Sequence, residues 1–415
     1  MKSPAKYIKL FVSFLFIFGL GFIQAPSGLS QLSMRVMGIF IGTIILWLGV
    51  SITWPSLLCI FALALSGLYT ANEAIAGSIG NWTATFVLFS AAICYVLQDT
   101  GFLRRCAIWF ITRPICKNSP WIFIAMLFLA PLIIGSVLDP ISVFVIFIPI
   151  MEQIFVELGY KEGEREPKMI TLGVLSLASV STLTTPISHP FPIIAMSIYT
   201  SLTGSSIGFL QFTLVGFTTA LIIYAMVLSI FKFLFKPDMS RIKNVDTEFL
   251  LKDINPMSKR EKISLMVFIV VVIIWMAPGL IGGILPNVSK FLSKMGTAIP
   301  AIIGFTLLCV IEVDGDQLAD FDKTMKNGVP WGAWILVGAT ALLGSAVTNQ
   351  QIGVTNLLGS VIAPVVSSFS SIVSVLIIVT ITIITTNFIT NAVTVTLVGS
   401  IVIPLTISGV IPNIS

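Results

Sequence analysis

Charge is what this sequence has least of. Only 10% of its 415 residues are Asp, Glu, Lys or Arg, against about 25% in a soluble domain, while 56% are hydrophobic and mean hydropathy is +1.03. That balance excludes an ordinary soluble chain and marks a polytopic membrane protein. Histidine occurs once, as His189. The five cysteines (Cys59, Cys94, Cys106, Cys116 and Cys309) sit in or beside apolar segments with no metal-ligand spacing and no disulfide framework, so they read as small hydrophobes. No HExxH, no paired intramembrane carboxylates, no nucleophile–base pair and no nucleotide-binding loop is visible. An enzyme, an ATP-driven pump, an organic cofactor and a nucleic-acid partner are therefore not expected.

The longest charge-free stretches organise the chain. Residues 371–411 carry no charge and are mostly Ile, Val, Leu and Thr, about two spans' worth of apolar sequence at roughly 20 residues per span. Their middle, TTNFITNAVT (385–394), holds six hydroxyl or amide side chains that lipid could not satisfy. A hairpin with a polar tip resolves the conflict, because irregular backbone at membrane depth is tolerated where protein or a water-filled cavity covers it. The plain alternative is a helix whose Thr and Asn residues bond to a neighbour. A second double-length run, 120–151, is interrupted by Asp139 and Pro140. Residues 169–231 again lack any formal charge, and ASVSTLTTPISHPFP (178–192) is too rich in Ser, Thr and Pro for one continuous helix, which predicts a broken span near Pro186 over 170–200. An uncleaved N-terminal span (1–32) opens the chain, and single spans are expected at 33–50, 53–70, 82–99, 208–231, 263–282, 299–311 and 331–347, with a weaker helix at 354–366. QDTGFLRRCAIWFITRP (98–114), basic and aromatic, suits a helix lying on the membrane surface.

The fold class expected is an all-α polytopic membrane protein of inverted repeats, with two re-entrant hairpins and broken helices. NWTATFVLFSAA (81–92) sits over PWGAWILVGATA (330–341), and each is followed by a double-length run with a polar centre. The repeats are placed at 33–235 and 263–415, joined by a cytoplasmic linker at 236–262. With the N-terminus inside a cell membrane and each double run re-entering, 20 of the 23 basic residues fall inside and only Arg35, Lys290 and Lys294 outside. Repeats that meet at discontinuous helices are a mark of secondary transporters.

TNAVT (390–394), DFDKTMKNGVPWGAWILVGATALLGSAV (320–347) and TGFLRRCAIWF (100–110) resemble the divalent anion/sodium symporter family, a branch of the ion-transporter superfamily that includes INDY-type dicarboxylate and citrate carriers. The resemblance covers most of the chain from residue 33 onward. Thr390, Asn391 and Ala392 match the Ser-Asn-Thr of that family's second hairpin tip, and Thr185 with Pro186 matches its Thr-Pro in the first broken helix. The first tip departs from the pattern, reading GSVLDPISV (135–143), and Ile187, Ser188 and His189 replace the usual Pro-Pro-Asn. The second repeat stops 11 residues past Pro404, where the family carries a further broken helix and span, so it is expected to be C-terminally incomplete: a fragment, or a chain lacking half of a second ion site.

The resemblance implies symport of a small divalent anion (a di- or tricarboxylate, or sulfate) with sodium as coupling ion, by a homodimer in the bilayer. An alternative is another superfamily branch, such as a cation/proton antiporter or an oxyanion exporter. No Lys or Arg lies mid-membrane, so the anion would be held by hydroxyls, amides, half-helix N-termini and co-bound cations. Ser136, Thr185, Thr390, Asn391 and Thr394 are the candidates for substrate, and Ser136, Asp139, Thr184 and Asn391 for the cation. Asp139 is the expected sodium ligand, since an ionisable group in a span is functional by default; the plain alternative is a cap for a helix starting at Pro140. His189 reads either as a proton relay or as a structural residue in a Pro-rich turn.

Overall fold

The structure, a computed structural model, describes residues 4–26, 29–161, 163–242, 250–251, 255–349, 351–353, 370–388 and 391–407. Among these it is almost entirely helical. The helices are α1 (Pro4–Phe14), α2 (Gln31–Gly49), α3 (Trp54–Leu65), α4 (Ala71–Gly77), α5 (Trp82–Asp99), α6 (Phe102–Ile111), α7 (Pro120–Ile134), α8 (Pro140–Glu157), α9 (Arg165–Val180), α10 (Pro190–Thr203), α11 (Phe209–Ser229), α12 (Lys259–Ile281), α13 (Pro286–Met295), α14 (Ala298–Val310), α15 (Phe321–Gly328), α16 (Trp331–Thr348), α17 (Ser371–Phe388) and α18 (Asn391–Ile407). Among the described residues five helices are long and apolar enough to cross a bilayer, or up to seven if each of two bent helix pairs is one span. The protein is an all-α polytopic membrane protein. The weaker helix expected at 354–366 lies outside the described residues.

The chain divides into two compact units, and each takes segments from both halves of the sequence. Unit one comprises residues 1–88, 193–207 and 330–415. Here α1 continues through a π turn and a 3-10 turn to Phe22 and runs back along α2. Gly38 and Gly42, four apart on α2, permit the approach: a methyl at Gly38 would strike the Phe16 carbonyl and one at Gly42 the Ser13 carbonyl. Small residues one turn apart are the usual way two membrane helices come close. The expected span at 53–70 is helical only as far as Leu65, and a second short helix begins beyond it at Ala71. Gly67, at φ +89°, turns the backbone, and Thr70 and Glu73 cap α4 reciprocally. α3 packs on α2 and on α16, and Trp47 Nε1 donates to Ser56 Oγ at 3.0 Å. α17 and α18 pack on one another, and α18 also lies on α16.

Unit two comprises residues 89–192 and 208–329. α7 and α8 form a helical hairpin turning at 135–139, with α9 against both arms. Its first arm is shorter than a span: 15 residues cover about 22 Å at 1.5 Å per residue, against a hydrocarbon core of about 30 Å. The second arm outruns the expected end at 151 and reaches Glu157, because Glu152, Gln153 and Glu157 are good helix formers at a polar boundary. α9 ends in a 3-10 turn, residues 184–189 are non-helical, and α10 begins at Pro190, so the span is broken where the Pro-rich segment predicted it. α11 follows, 21 residues long.

Two elements of unit two have no counterpart in the sequence reading. Residues 286–295 form the amphipathic α13, bent by 77° from α14 at Gly296, whose φ is +62°. It is fastened by Ser289 Oγ donating to the Pro278 carbonyl at 2.9 Å and by Trp275 Nε1 donating to the Thr297 carbonyl at 2.8 Å. The acidic loop after α14 contains a two-stranded antiparallel ribbon, Glu312–Val313 with Asp316–Gln317, turned by Asp314 and Gly315 at positive φ.

Candidate functional site

The hairpin tip and the break in the α9–α10 span are both in unit two, and they touch. The Thr185 hydroxyl donates to the Ser136 carbonyl, 49 positions away in sequence. Glycine makes the contact possible: a Cβ at Gly135 would fall on Ser181 Oγ. On the other side of the break α11 passes with Gly216 directly over the Leu183 carbonyl, and a Cβ there would also stand 3.3 Å from the Thr184 carbonyl. The break is thus held between a hairpin tip and a helix by two positions that exclude a side chain.

Within this cluster the local bonds follow from helix termini that need partners. Asp139 is the N-cap of α8: Oδ1 accepts from the N–H groups of Ile141 at 3.0 Å and Ser142 at 3.1 Å, and Oδ2 accepts from Ser142 Oγ at 2.5 Å. Pro140 occupies the first helical position, where its missing N–H costs nothing. The capping role is therefore real, and it leaves acceptor capacity on a carboxylate that offers about four lone-pair sites. Ser136 Oγ donates to the Ile133 carbonyl at 2.6 Å, and Thr184 Oγ1, fully buried, donates to the Ser181 carbonyl at 2.6 Å. Ser188 Oγ donates to the carbonyls of Thr185 and Thr182. Each hydroxyl spends its proton on a neighbouring carbonyl and keeps its oxygen lone pairs.

His189 ends the break. Its Nδ1 accepts from the Phe191 N–H at 3.4 Å and its ring lies 4.0 Å from that of Phe191, so it acts as the cap of α10. The Asp139 carboxylate also acts electrostatically on His189 and on Cys94 of α5. No lysine or arginine bonds to any residue of this cluster among the described residues. Of the candidate residues, Ser136 and Thr185 are in direct contact, with Thr184 adjacent to Thr185 in the break and Asp139 three residues past Ser136 in the tip. Gly135, Gly216, Ser142, Ser181 and Ser188 were missed. A glycine opening the polar tip and a Ser three residues after a capping Asp were the available signals for two of these; Gly216 had none.

The second tip lies in unit one. α17 runs helically to Phe388, so Thr385, Thr386 and Asn387 belong to its last turns and not to a loop. Thr385 Oγ1 donates to the Ile381 carbonyl, and Thr386 Oγ1 and Asn387 Nδ2 donate to that of Ile383, which is how hydroxyls and amides are satisfied on an apolar helix. Thr390 lies outside the described residues. Asn391 is exposed at the first residue of α18, and Thr394, one turn on, is fully buried.

A separate polar cleft of about 410 Å3 opens in unit two, lined among others by Tyr95, Asp99, Arg260, Asp316 and Lys323. None of the candidate residues lines it. Lys323 Nζ reaches both Asp99 oxygens, at 2.9 and 3.0 Å, and this carboxylate raises the ammonium above its ordinary value.

No curated protein matches the chain. The model of the citrate transporter family (CitMHS) matches residues 41–412, nearly the whole chain and both tip sequences. The match supports the ion-transporter superfamily without singling out the divalent anion/sodium symporter branch. The chain belongs to the citrate transporter family, and so to the multi-pass secondary transporters of citrate-like anions.

Proposed function

We propose that the protein is a secondary active transporter that moves citrate, or a closely related di- or tricarboxylate, in symport with a cation, and that the cation is sodium. The observation that carries the proposal is the Thr185–Ser136 contact. It joins a hairpin tip that carries the Asp139 carboxylate to a broken span rich in hydroxyl and carbonyl oxygens, with no basic side chain bonded to them among the described residues. A trivalent anion cannot be carried through low dielectric uncompensated, and this cluster supplies ligands for a hard cation in place of a fixed positive charge. Asp139 is the charged ligand, with Ser136 and the Thr184 segment beside it. Thr185 provides a hydroxyl for a substrate carboxylate beside this cluster, and Asn391 and Thr394 are separate candidates for the same role in the other unit. Sodium is favoured over other cations by the resemblance of TNAVT and the Thr-Pro break to the sodium-coupled branch.

The experiment is uptake of labelled citrate into proteoliposomes. Citrate should accumulate against its gradient when sodium is outside, and succinate and sulfate should compete less well. Equal uptake in sodium and in choline media, driven instead by an imposed proton gradient, would replace sodium by the proton. Exchange that needs no inward cation gradient would refute symport.

A further inference from the structure

Next to the hairpin, α6 has two faces of opposite character. Leu103, Ala107, Ile108 and Ile111 are buried against the protein, and α6 packs on both α7 and α8. Arg105 also turns inward. Its Nε and Nη2 bond the two oxygens of Glu261 at 2.6 and 3.0 Å, and that carboxylate is almost completely buried. The other basic groups turn outward. Arg104 is exposed, with no protein partner among the described residues. Arg113 stands 4.3 Å over the Trp109 ring, held there by Nε donating to the Trp109 carbonyl at 3.0 Å, while Trp109 itself is 49% exposed. At the start of α7 the arrangement recurs: Lys232 Nζ, from the π turn that follows α11, lies 5.5 Å from the rings of Trp121 and Phe233. Ile115, Phe233 and Leu234 are exposed beside these cations.

Cations resting on tryptophan rings, with bare apolar side chains around them, match one solvent. Indole rings settle at the headgroup level, the apolar side chains enter the acyl region, and guanidinium and ammonium groups meet phosphate there. We propose that Arg104, Arg113 and Lys232, with Trp109 and Trp121, form a binding surface for the phosphate of an anionic phospholipid, annular to the α7–α8 hairpin. The arginines are suited to this because a guanidinium presents several donors to one phosphate. The inward Arg105–Glu261 pair fixes the rotation of α6 and so keeps Trp109 on its outer side.

The test uses the full-length protein in micelles, titrated with phosphatidylglycerol or phosphatidylcholine and read by native mass spectrometry. Phosphatidylglycerol should be retained in preference to phosphatidylcholine, and more weakly as salt is raised. Each basic residue near a membrane surface is worth roughly a factor of five, so R104Q/R113Q/K232Q should lower phosphatidylglycerol retention about a hundredfold, while R104K/R113K, which preserves every charge, keeps most of it. Both variants leave the inward face intact and should remain monodisperse with wild-type helicity. Equal retention of the two lipids by the wild type, or unchanged retention in the glutamine variant, overturns the proposal. So does displacement of phosphatidylglycerol by millimolar glycerol phosphate, which would assign the surface to a soluble phosphate. None of these outcomes depends on which ion drives citrate.

Discussion

The Asp139 carboxylate caps α8 and also acts electrostatically on His189 at the end of the break, so charge and cap must be separated to learn what it does. Asparagine caps a helix as well as aspartate and alanine does not. Asp139→Asn should therefore fold like the wild type, with the sodium concentration for half-maximal citrate uptake raised at least about tenfold, or ~1.4 kcal/mol, and citrate affinity at saturating sodium little changed. Asp139→Ala should in addition lose about 1 kcal/mol of stability with the cap. If Asp139→Asn transports with the wild-type sodium and pH dependence, the residue is a cap and nothing more. Gly216 makes a different prediction. A methyl there meets the Leu183 carbonyl, which is backbone and cannot swing away; overpacking of this kind costs about 1–3 kcal/mol. Gly216→Ala should lower the thermal unfolding midpoint and slow uptake together. A variant as stable as the wild type would mean that α11 does not support the break.

Among the elements, α6 and α12 are tied by one bidentate ion pair. Glu261 also completes the capping box of α12 with Ser258, and its hydrogen bond holds the Arg105 guanidinium above its ordinary value. Arg105→Gln strands a carboxylate that is only 2% exposed. Breaking a buried pair costs about 3–5 kcal/mol; because the Arg105 side chain is 27% exposed, the expected loss is nearer 1–3 kcal/mol. Adding Glu261→Gln should restore part of it. Chemical unfolding of the two single variants and the double closes the cycle. A double variant that loses the full sum of the two singles would show that the residues do not stabilise one another. Elements of this kind were legible where their signal is local. α5 occupies 82–99 as its apolar run predicts, and the break at 184–189 follows from the absence of backbone donors at Pro186, Pro190 and Pro192. α13 and the 312–317 ribbon were not legible, because a ten-residue helix with no buried residue and a pair of two-residue strands carry too little periodicity to rise above loop sequence.

For the whole molecule, the charge pattern makes a topological claim that uptake assays do not test. If the basic segments mark the inner side, single cysteines at 104, 236 and 323 in a background without the five native ones should resist an impermeant maleimide in intact cells and react after permeabilisation. Cysteines at 35 and 290 should react from outside. Labelling of position 236 from outside would invert or abolish the assignment of the repeats. The compact units bear on the same question: each combines segments from the two halves, a division that no linear reading at 236–262 contains.

Composition alone determined that this chain lives in a bilayer, since 10% charge cannot solvate a soluble surface of 415 residues. The order of residues determined where helices break, because proline and clustered hydroxyls act on the backbone within a few positions. The tertiary structure decided which broken pieces meet. That Thr185 finds Ser136, that Gly135 and Gly216 leave room on either side of the break, and that Arg105 alone among the α6 basic residues turns inward to Glu261 are all long-range matters. They depend on how close two backbones can pass, which no local pattern encodes. Thr385, Thr386 and Asn387, by contrast, are settled locally, since carbonyls of their own helix α17 satisfy them.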